Sequence, residues 1–107
     1  MKYYKLIDYF EQGKTNVCLA VEGKRVLGYA QYFRTDYGRV HLNEIAVAEE
    51  YQYQGIGTKL MEEVEKGSRK VSVSCIELFC IEKNERAKTF YSKNNYETEK
   101  RLMIKRL

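Results

Sequence analysis

The sequence contains no proline, no tryptophan and only one histidine among its 107 residues. Without proline, every turn must be made by residues such as Gly, Asn, Asp or Ser. The single histidine and the three cysteines, Cys18, Cys75 and Cys80, lack the spacing of a zinc-ligand set, so we predict no metal site. The cysteines are odd in number and lie among strand-like apolar residues, which predicts buried thiols of a cytoplasmic protein.

Long hydrophobic runs are also missing. No stretch approaches 18 consecutive apolar residues, so we expect no membrane partner. The first twelve residues carry charges among their apolar positions and no small-residue cleavage site, so we expect no secretory signal peptide. The remaining composition, 44% hydrophobic and 32% charged, is typical of a globular protein, and we expect residues 1–107 to form a single domain.

The net charge of +4 is unevenly distributed along the chain. Residues 83–107 contain eight Lys/Arg and three Asp/Glu, a net charge of +5, whereas residues 1–82 have a net charge of −1. A basic region of this kind can bind an acidic protein, a nucleic acid or a phosphorylated ligand, or it can form an ordinary solvated surface.

Apolar spacing predicts the secondary structure. Tyr3, Leu6, Ile7 and Phe10 recur at i, i+3, i+4 and i+7, which predicts an amphipathic helix that ends at Gly13. The elements predicted after it are strands over 17–21, 25–33 and 40–48, a helix after Gly57 that ends near Lys70 or at Gly67, a strand over 75–81, a helix over 85–93, and strands over 96–99 and 102–107.

The predicted order is therefore α-β-β-β-α-β-α-β-β. Short turns between the first three strands predict an antiparallel meander, and the strand–helix–strand connection from 40 to 81 adds one parallel pair. The fold class is thus α/β, with a mixed, mostly antiparallel sheet flanked by helices.

The segment AVAEEYQYQGIG, from Ala46 to Gly57, joins a predicted strand to a predicted helix. At a helix start, several backbone N–H groups have no internal acceptor and the helix dipole is positive, so the site favours an anion such as phosphate. Gly55 and Gly57 would let that anion approach the backbone closely. The spacing matches neither a dinucleotide-binding fingerprint nor a P-loop, and a plain glycine turn into a helix is the alternative.

A second segment, EKNERAKTFYSKNNY, follows from Glu82 to Tyr96. The pattern QxxGxG in the first segment, followed by NxxAxxFY in the second, resembles the GNAT superfamily of N-acetyltransferases, particularly its amino-sugar and small-molecule members. The resemblance covers about residues 25–107 and implies an acyl-CoA N-acyltransferase fold. It also implies an enzyme that uses acetyl-CoA to acetylate a primary amine of a small molecule or peptide by direct attack.

The resemblance also implies the roles of single residues. The glycine loop would bind the pyrophosphate of acetyl-CoA, the strand before it would pair with the pantetheine arm where two strands splay apart, and Tyr91 would protonate the departing thiolate. The implied cofactor-binding residues are Ile45, Ala46, Val47, Gln52, Tyr53, Gln54, Gly55, Ile56, Gly57, Thr58, Asn84 and Tyr91. Alternatives remain for two of them, because Asn84 also suits a helix N-cap and Tyr91 also suits core packing.

Acetyl transfer to an amine needs a group that removes a proton from it. Glu44, in the strand that leads to the loop, is the predicted base, and His41 is the alternative because imidazole titrates near neutral pH. Either can instead be an ordinary surface residue. Glu77 is expected to face a neighbouring element. No covalent intermediate is required, so the cysteines need not react.

Several features depart from the family pattern. Glu49 stands where the family usually has Pro, Gln52 where Arg is more common, and Asn95-Tyr96 where Gly-Phe is usual. The cations Lys59, Arg86 and Lys88 can meet the cofactor phosphates or form solvated helix faces. The two carboxylates of Glu49-Glu50 would weaken phosphate binding.

The N-terminal part is short compared with the family, which opens with a strand and two helices. Only residues 1–14 stand in their place, so we expect the first strand to be missing. The acceptor pocket would then be small, open or completed by a second chain, which suggests a homodimer. The rival hypothesis is a module without catalysis that binds acetyl-CoA or, through its basic end, an acidic partner. Nucleic acid is the less favoured partner.

Overall fold

Five strands form one sheet in sequence order in the computed structural model, which describes residues 5–10 and 15–107. The elements are β1 (Lys5–Phe10), β2 (Asn16–Glu22), β3 (Arg25–Arg34), β4 (Val40–Val47), a 3₁₀ turn (Glu49–Tyr51), α1 (Ile56–Lys70), β5 (Ile76–Glu77) and α2 (Glu85–Lys93). Neighbouring strands from β1 to β4 are antiparallel, and β4 pairs with β5 in parallel. The predicted mixed, mostly antiparallel sheet is confirmed.

The predicted first helix is wrong, because its described residues form β1. This strand pairs with β2 along its whole length. Leu6, Ile7 and Phe10 fit helical spacing, but β-branched and aromatic residues also favour strands, and the edge of β2 supplies backbone hydrogen bonds. The expectation of a missing first strand is wrong for the same reason. Tyr3 and Gly13, which completed the predicted helix, lie outside the described residues.

The predicted meander is confirmed by the two hairpins of β2, β3 and β4. Gly23 takes a left-handed conformation, with φ of 60°, in the first turn. The pairing of β3 with β4 contains a bulge, because Gln31 pairs with Glu44 whereas Tyr32 pairs with Leu42. The intervening residue of β4 is Asn43, which has no cross-strand partner in this register.

Helix α1 covers one face of the sheet and completes the core. The buried apolar side chains come from β2, β3, β4 and α1: Cys18, Ala20, Leu27, Ala30, Tyr32, Val40, Leu42, Ile56, Leu60, Met61 and Val64. The helix passes through Gly67 and ends at Lys70, which confirms the longer of the two predicted endings. A Cβ at Gly67 would lie 2.6 Å from the Tyr32 hydroxyl oxygen, so glycine at this position makes room for a core side chain.

The chain after β5 differs most from the prediction. Only two residues of the predicted strand over 75–81 pair in the sheet, and residues 96–107 form neither helix nor strand. A two-residue edge offers too few backbone groups to order a further strand. Cys18 is buried as predicted, but Cys75 and Cys80 are exposed and lie outside β5, because only two residues of the predicted strand over 75–81 enter the sheet.

None of the described helices is both long and apolar enough to cross a membrane. Within residues 5–10 and 15–107, no three His, Cys, Asp or Glu side chains form a group that could hold a metal ion.

Candidate functional site

Strands β4 and β5 separate soon after they meet. Their parallel register contains only the pairs Val40–Ile76 and His41–Glu77, whereas β4 continues to Val47. The later backbone groups of β4 therefore face an opening instead of a neighbouring parallel strand. This opening is where the resemblance implied a splay between residues 40–48 and 75–81, and it includes the predicted site residues Ile45 and Ala46.

The glycine loop follows β4 directly and ends at the start of α1. Gly55 is the N-cap of α1 in a left-handed conformation, with φ of 84°, and no side chain caps this helix end. A Cβ at Gly55 would have nothing within 4 Å. The first N–H groups of α1, which include those of Ile56 and Thr58, are thus open to an acceptor from outside the helix.

Gly57 has a packing role that the sequence did not indicate. A Cβ on this residue would lie 3.1 Å from Cε1 of Phe90 in α2. The absence of a side chain therefore lets α2 approach the first turn of α1, which brings the second predicted motif beside the glycine loop.

Gln52 connects the loop to both β4 and α2. Its amide nitrogen donates to the Val47 carbonyl at 2.9 Å, and its amide oxygen accepts a hydrogen bond from the Arg86 guanidinium. The Arg86 guanidinium also lies over the Tyr53 ring, 4.7 Å from its centroid. These contacts hold a positive charge at the loop, although Gln52 itself replaces the more usual cation.

The other two candidate cations are engaged elsewhere. Lys59 pairs with Glu62 at 3.4 Å within α1. Lys88 pairs with Glu82 at 3.3 Å and with Glu85 at 3.4 Å. Of the three cations considered, the structure therefore brings only Arg86 to the loop residues. Gln54, at the turn before Gly55, is exposed.

Asn84 is the N-cap of α2. Its side-chain oxygen accepts a hydrogen bond from the Ala87 N–H at 3.1 Å, which confirms the capping role. The cap uses the amide oxygen, so the NH₂ group of Asn84 can donate to a different acceptor.

Tyr91 lies on α2 in an aromatic cluster. Its ring is half-buried and makes edge contacts with Phe90 and Tyr96, at centroid distances of 5.5 and 5.7 Å. Burial, with a smaller contribution from the nearby Cys80, raises the pKa of the Tyr91 hydroxyl. The packing role is thus real, and the hydroxyl stays protonated at neutral pH, as a proton donor must.

Glu44 lies on the sheet face opposite α1. It is exposed, and its Oε1 accepts a hydrogen bond from the Tyr29 hydroxyl at 2.5 Å. This bond to a carboxylate raises the pKa of Tyr29. On the same face, the Asn43 amide at the bulge donates to the Gln31 side chain at 3.1 Å.

His41 and Glu77 form a hydrogen-bonded cluster on this face, so Glu77 meets the neighbouring strand as expected. His41 Nδ1 lies 2.8 Å from Glu77 Oε2, which also accepts from the Tyr37 hydroxyl at 2.7 Å. The Arg39 guanidinium lies 3.8 Å from Glu77 Oε1. The Tyr37 hydrogen bond, followed by His41 and Arg39, lowers the pKa of Glu77. Sequence reasoning missed this cluster, because only the β4–β5 register pairs His41 with Glu77.

The His41 cluster forms one wall of an open groove of about 470 Å³. The His41 ring stands between two phenylalanines, with centroid distances of 5.3 Å to Phe33 and 5.1 Å to Phe79. The groove is lined by Phe33, Arg34, Thr35, Asp36, Tyr37, His41, Glu77 and Phe79. It combines apolar walls with a carboxylate-bound imidazole.

Residues 1–96 match the profile of the Acetyltransferase (GNAT) family. No curated protein matches the chain in sequence. The chain is similar in fold to a mutant of the BH1408 protein from Bacillus halodurans, with a TM-score of 0.81 and 23% identity over 91% of this chain and 68% of the other.

Two further structures share the fold. The PaiA N-acetyltransferase from Thermoplasma acidophilum, in complex with coenzyme A, has a TM-score of 0.76 and 22% identity over 80% of this chain and 54% of the other. The aminoglycoside acetyltransferase meta-AAC0020 from an uncultured soil metagenomic sample, in complex with sisomicin, has a TM-score of 0.76 and 17% identity over 91% and 67%.

Proposed function

The chain belongs to the acetyltransferase (GNAT) family, and on that premise we propose that it transfers the acetyl group of acetyl-CoA to a primary amine of a small molecule or peptide. One observation carries the proposal: the glycine loop joins the open part of β4 to an uncapped helix start. A phosphate-bearing ligand with a long flexible arm fits both features, because the helix start binds anions and the strand offers backbone hydrogen bonds.

The pyrophosphate of acetyl-CoA would bind at the loop. The open N–H groups at the start of α1 would donate to it, and Arg86, held by Gln52, would supply positive charge. The open backbone of β4 from Ile45 to Val47 would pair with the pantetheine arm, and the Asn84 NH₂ group would donate to the same arm. This fit uses every predicted cofactor-binding segment.

Side chains of this protein would carry out two proton transfers, one to the leaving sulfur and one from the amine. Acetyl-CoA supplies an activated thioester, and open backbone N–H groups of β4 would polarise its carbonyl group. The Tyr91 hydroxyl would give a proton to the sulfur as it leaves, and its raised pKa keeps it protonated for this role. The amine must also lose a proton; Glu44 stays the sequence prediction for this base, with His41 as the alternative.

The acceptor is proposed only as a class. PaiA is an N-acetyltransferase and meta-AAC0020 is an aminoglycoside acetyltransferase. Both are too distant in sequence for their substrates to be assigned to this chain. The open groove of about 470 Å³ beside His41 has room for a small-molecule amine or for an amine-bearing group of a peptide. The cytoplasmic location and the homodimer stay predictions.

Thermal unfolding with acetyl-CoA and with CoA tests the cofactor, and release of free thiol over a panel of primary amines tests the reaction. We expect both ligands to raise the melting temperature, and Arg86→Gln to weaken acetyl-CoA binding about fivefold. The matched control is Lys88→Gln, which removes a cation paired with Glu82 and Glu85 and should leave the affinity within about twofold.

The outcomes separate an enzyme from a binding module. No thermal shift at millimolar acetyl-CoA would contradict the proposal and make the basic region over 83–107 the better lead. A shift without thiol release for any amine would leave a module that binds acetyl-CoA without catalysis.

A further inference from the structure

We infer that the base of the reaction is His41, held by Glu77, in preference to Glu44, and that the groove between Phe33 and Phe79 receives the amine. This inference rests on the proposed function, because it assigns one of its proton transfers. It is carried by the geometry of the His41–Glu77 pair and by its place in the sheet.

The hydrogen-bond partners define which ring nitrogen can act. The ionised Glu77 carboxylate can only accept hydrogen bonds, and it already accepts one from the Tyr37 hydroxyl. In a neutral imidazole, the nitrogen 2.8 Å from this carboxylate, Nδ1, must therefore carry the hydrogen. The lone pair is then on Nε2, on the opposite side of the ring, where it can accept a proton.

The position of His41 places this lone pair near the opening. His41 and Glu77 form the last parallel pair before β4 continues toward the glycine loop without β5 beside it. Val40 and Leu42 point into the core, so the ring of His41 must point to the other face of β4, into the groove. Its side chain is only 12% exposed, which limits competition from water.

Glu44 fits the role less well. Its carboxylate is exposed and accepts the Tyr29 hydroxyl at 2.5 Å, so one of its oxygens is already engaged. Carboxylates as a class are weaker bases than imidazole by about two pKa units, which disfavours proton removal from an amine. Imidazole as a class is better matched to neutral pH.

Several charged groups surround His41. Glu77 faces it from β5, and Asp36 and Arg34 line the groove from the β3–β4 turn and from β3. Arg39 lies beyond Glu77 and is paired with Glu99 at 3.0 Å, which balances part of its charge. The charged group in direct contact with the ring is the Glu77 carboxylate, which holds the ring in place.

The proton and electron balance is complete without an additional reactant. The ammonium form of the amine first gives one proton to His41 Nε2, which releases it to solvent. The neutral amine nitrogen then forms the new C–N bond and gives a second proton to His41 Nε2. The C–S bond breaks, its electron pair leaves with the sulfur, and the sulfur takes the proton of the Tyr91 hydroxyl. His41 then returns its proton, through solvent, to Tyr91, so the products are an amide, a free thiol and the one proton released from the ammonium.

Kinetics of His41→Gln, Glu44→Gln and Glu77→Gln test the assignment, with the fastest amine of the panel as probe. At pH 7 we expect kcat/KM of His41→Gln to fall about 100-fold and that of Glu77→Gln about 10-fold. The His41→Gln deficit should shrink as the pH rises, because more of the amine is then already neutral. Glu62→Gln, an exposed change on α1, is the matched control and should behave like wild type.

A second measurement does not depend on activity. His41 is the only histidine, so ring ¹⁵N chemical shifts report its tautomer without assignment ambiguity. We expect the Nδ1–H tautomer to dominate in the wild type and a mixed population in Glu77→Gln. A dominant Nε2–H tautomer in the wild type would overturn the inference.

The kinetic outcomes also distinguish the two proposals. If the wild type acetylates an amine and His41→Gln is equally fast, the role of His41 is refuted and the proposed function stands. Loss of activity in Glu44→Gln alone would also refute the role of His41, would leave the proposed function standing and would assign the base to Glu44. If the wild type releases no thiol with any amine, the proposed function itself fails.

Discussion

Tyr91 shows at the residue scale how packing can support the proton-donor role that we propose for this side chain. Its ring lies between Phe90 and Tyr96, and this half-buried position is the main cause of its raised pKa. Burial disfavours the phenolate, so the hydroxyl keeps its proton over a wider pH range than a free tyrosine does. The packing that a sequence reader would count against a catalytic role therefore supports it.

Tyr91→Phe should lower kcat about 10- to 100-fold while the acetyl-CoA dissociation constant changes little, because only the proton donor is removed. In the wild type, kcat should not fall through deprotonation of Tyr91 until above about pH 10, because the raised pKa keeps the hydroxyl protonated up to there. Steady-state kinetics across pH, with cofactor affinity from calorimetry, measure both effects. Tyr96→Phe is the control, and a Tyr91→Phe enzyme as fast as wild type would remove Tyr91 from the chemistry.

At the element scale, the helices were easier to predict than the terminal strands. Helix α2 carries local signals at both ends: Asn84 caps its start, and Asn95 takes a left-handed conformation, with φ of 67°, just beyond its end. Strand β1 carries no such signal, because its apolar spacing fits a helix equally well and only the edge of β2 decides. For residues 96–107 the error is the opposite one: their composition predicts strands, but the two-residue β5 leaves too short a sheet edge for them to pair with.

The capping role of Asn84 and its proposed role in acetyl-CoA binding can be separated by substitution. Asn84→Ala should lower the free energy of unfolding by about 1 kcal/mol, because the N-cap is lost. Asn84→Asp keeps a capping oxygen and should leave stability nearly unchanged, but it lacks the NH₂ group and should weaken acetyl-CoA binding. Urea denaturation and calorimetry measure the two effects. If Asn84→Asp binds acetyl-CoA as tightly as wild type, Asn84 is only a cap.

At the scale of the whole molecule, small residues and tyrosines hold the layers together. Gly28 lets β3, β4 and α1 meet, since a Cβ there would lie 2.7 Å from the Ala46 carbonyl oxygen. Gly57 does the same for α1 and α2. The Tyr96 hydroxyl donates a hydrogen bond to Met61 Sδ at 3.3 Å, and this contact connects the segment after α2 to the core.

Global stability should fall in alkali. Burial, mainly, raises the pKa of Tyr96, so the folded protein keeps this proton at a pH where the unfolded chain loses it. The contribution is therefore fully present below about pH 10 and is lost as the pH rises toward the folded pKa. Urea denaturation between pH 8 and 11 should show a shallower decline for Tyr96→Phe than for the wild type. Tyr53→Phe, a change at an exposed ring, should leave the slope as it is, and equal slopes for all three proteins would contradict the prediction.

The sequence by itself determined the sheet class, both helices after β4, the glycine loop and the membership of the family, because each depends on local spacing or on a short motif. Only the tertiary structure decided that β1 is a strand, that Gly57 accommodates Phe90, that Arg86 is the cation beside the loop, and that His41 meets Glu77. These features depend on register and on packing between segments far apart in the chain. Such contacts form only once the strands have paired and the helices have docked, so no local pattern records them.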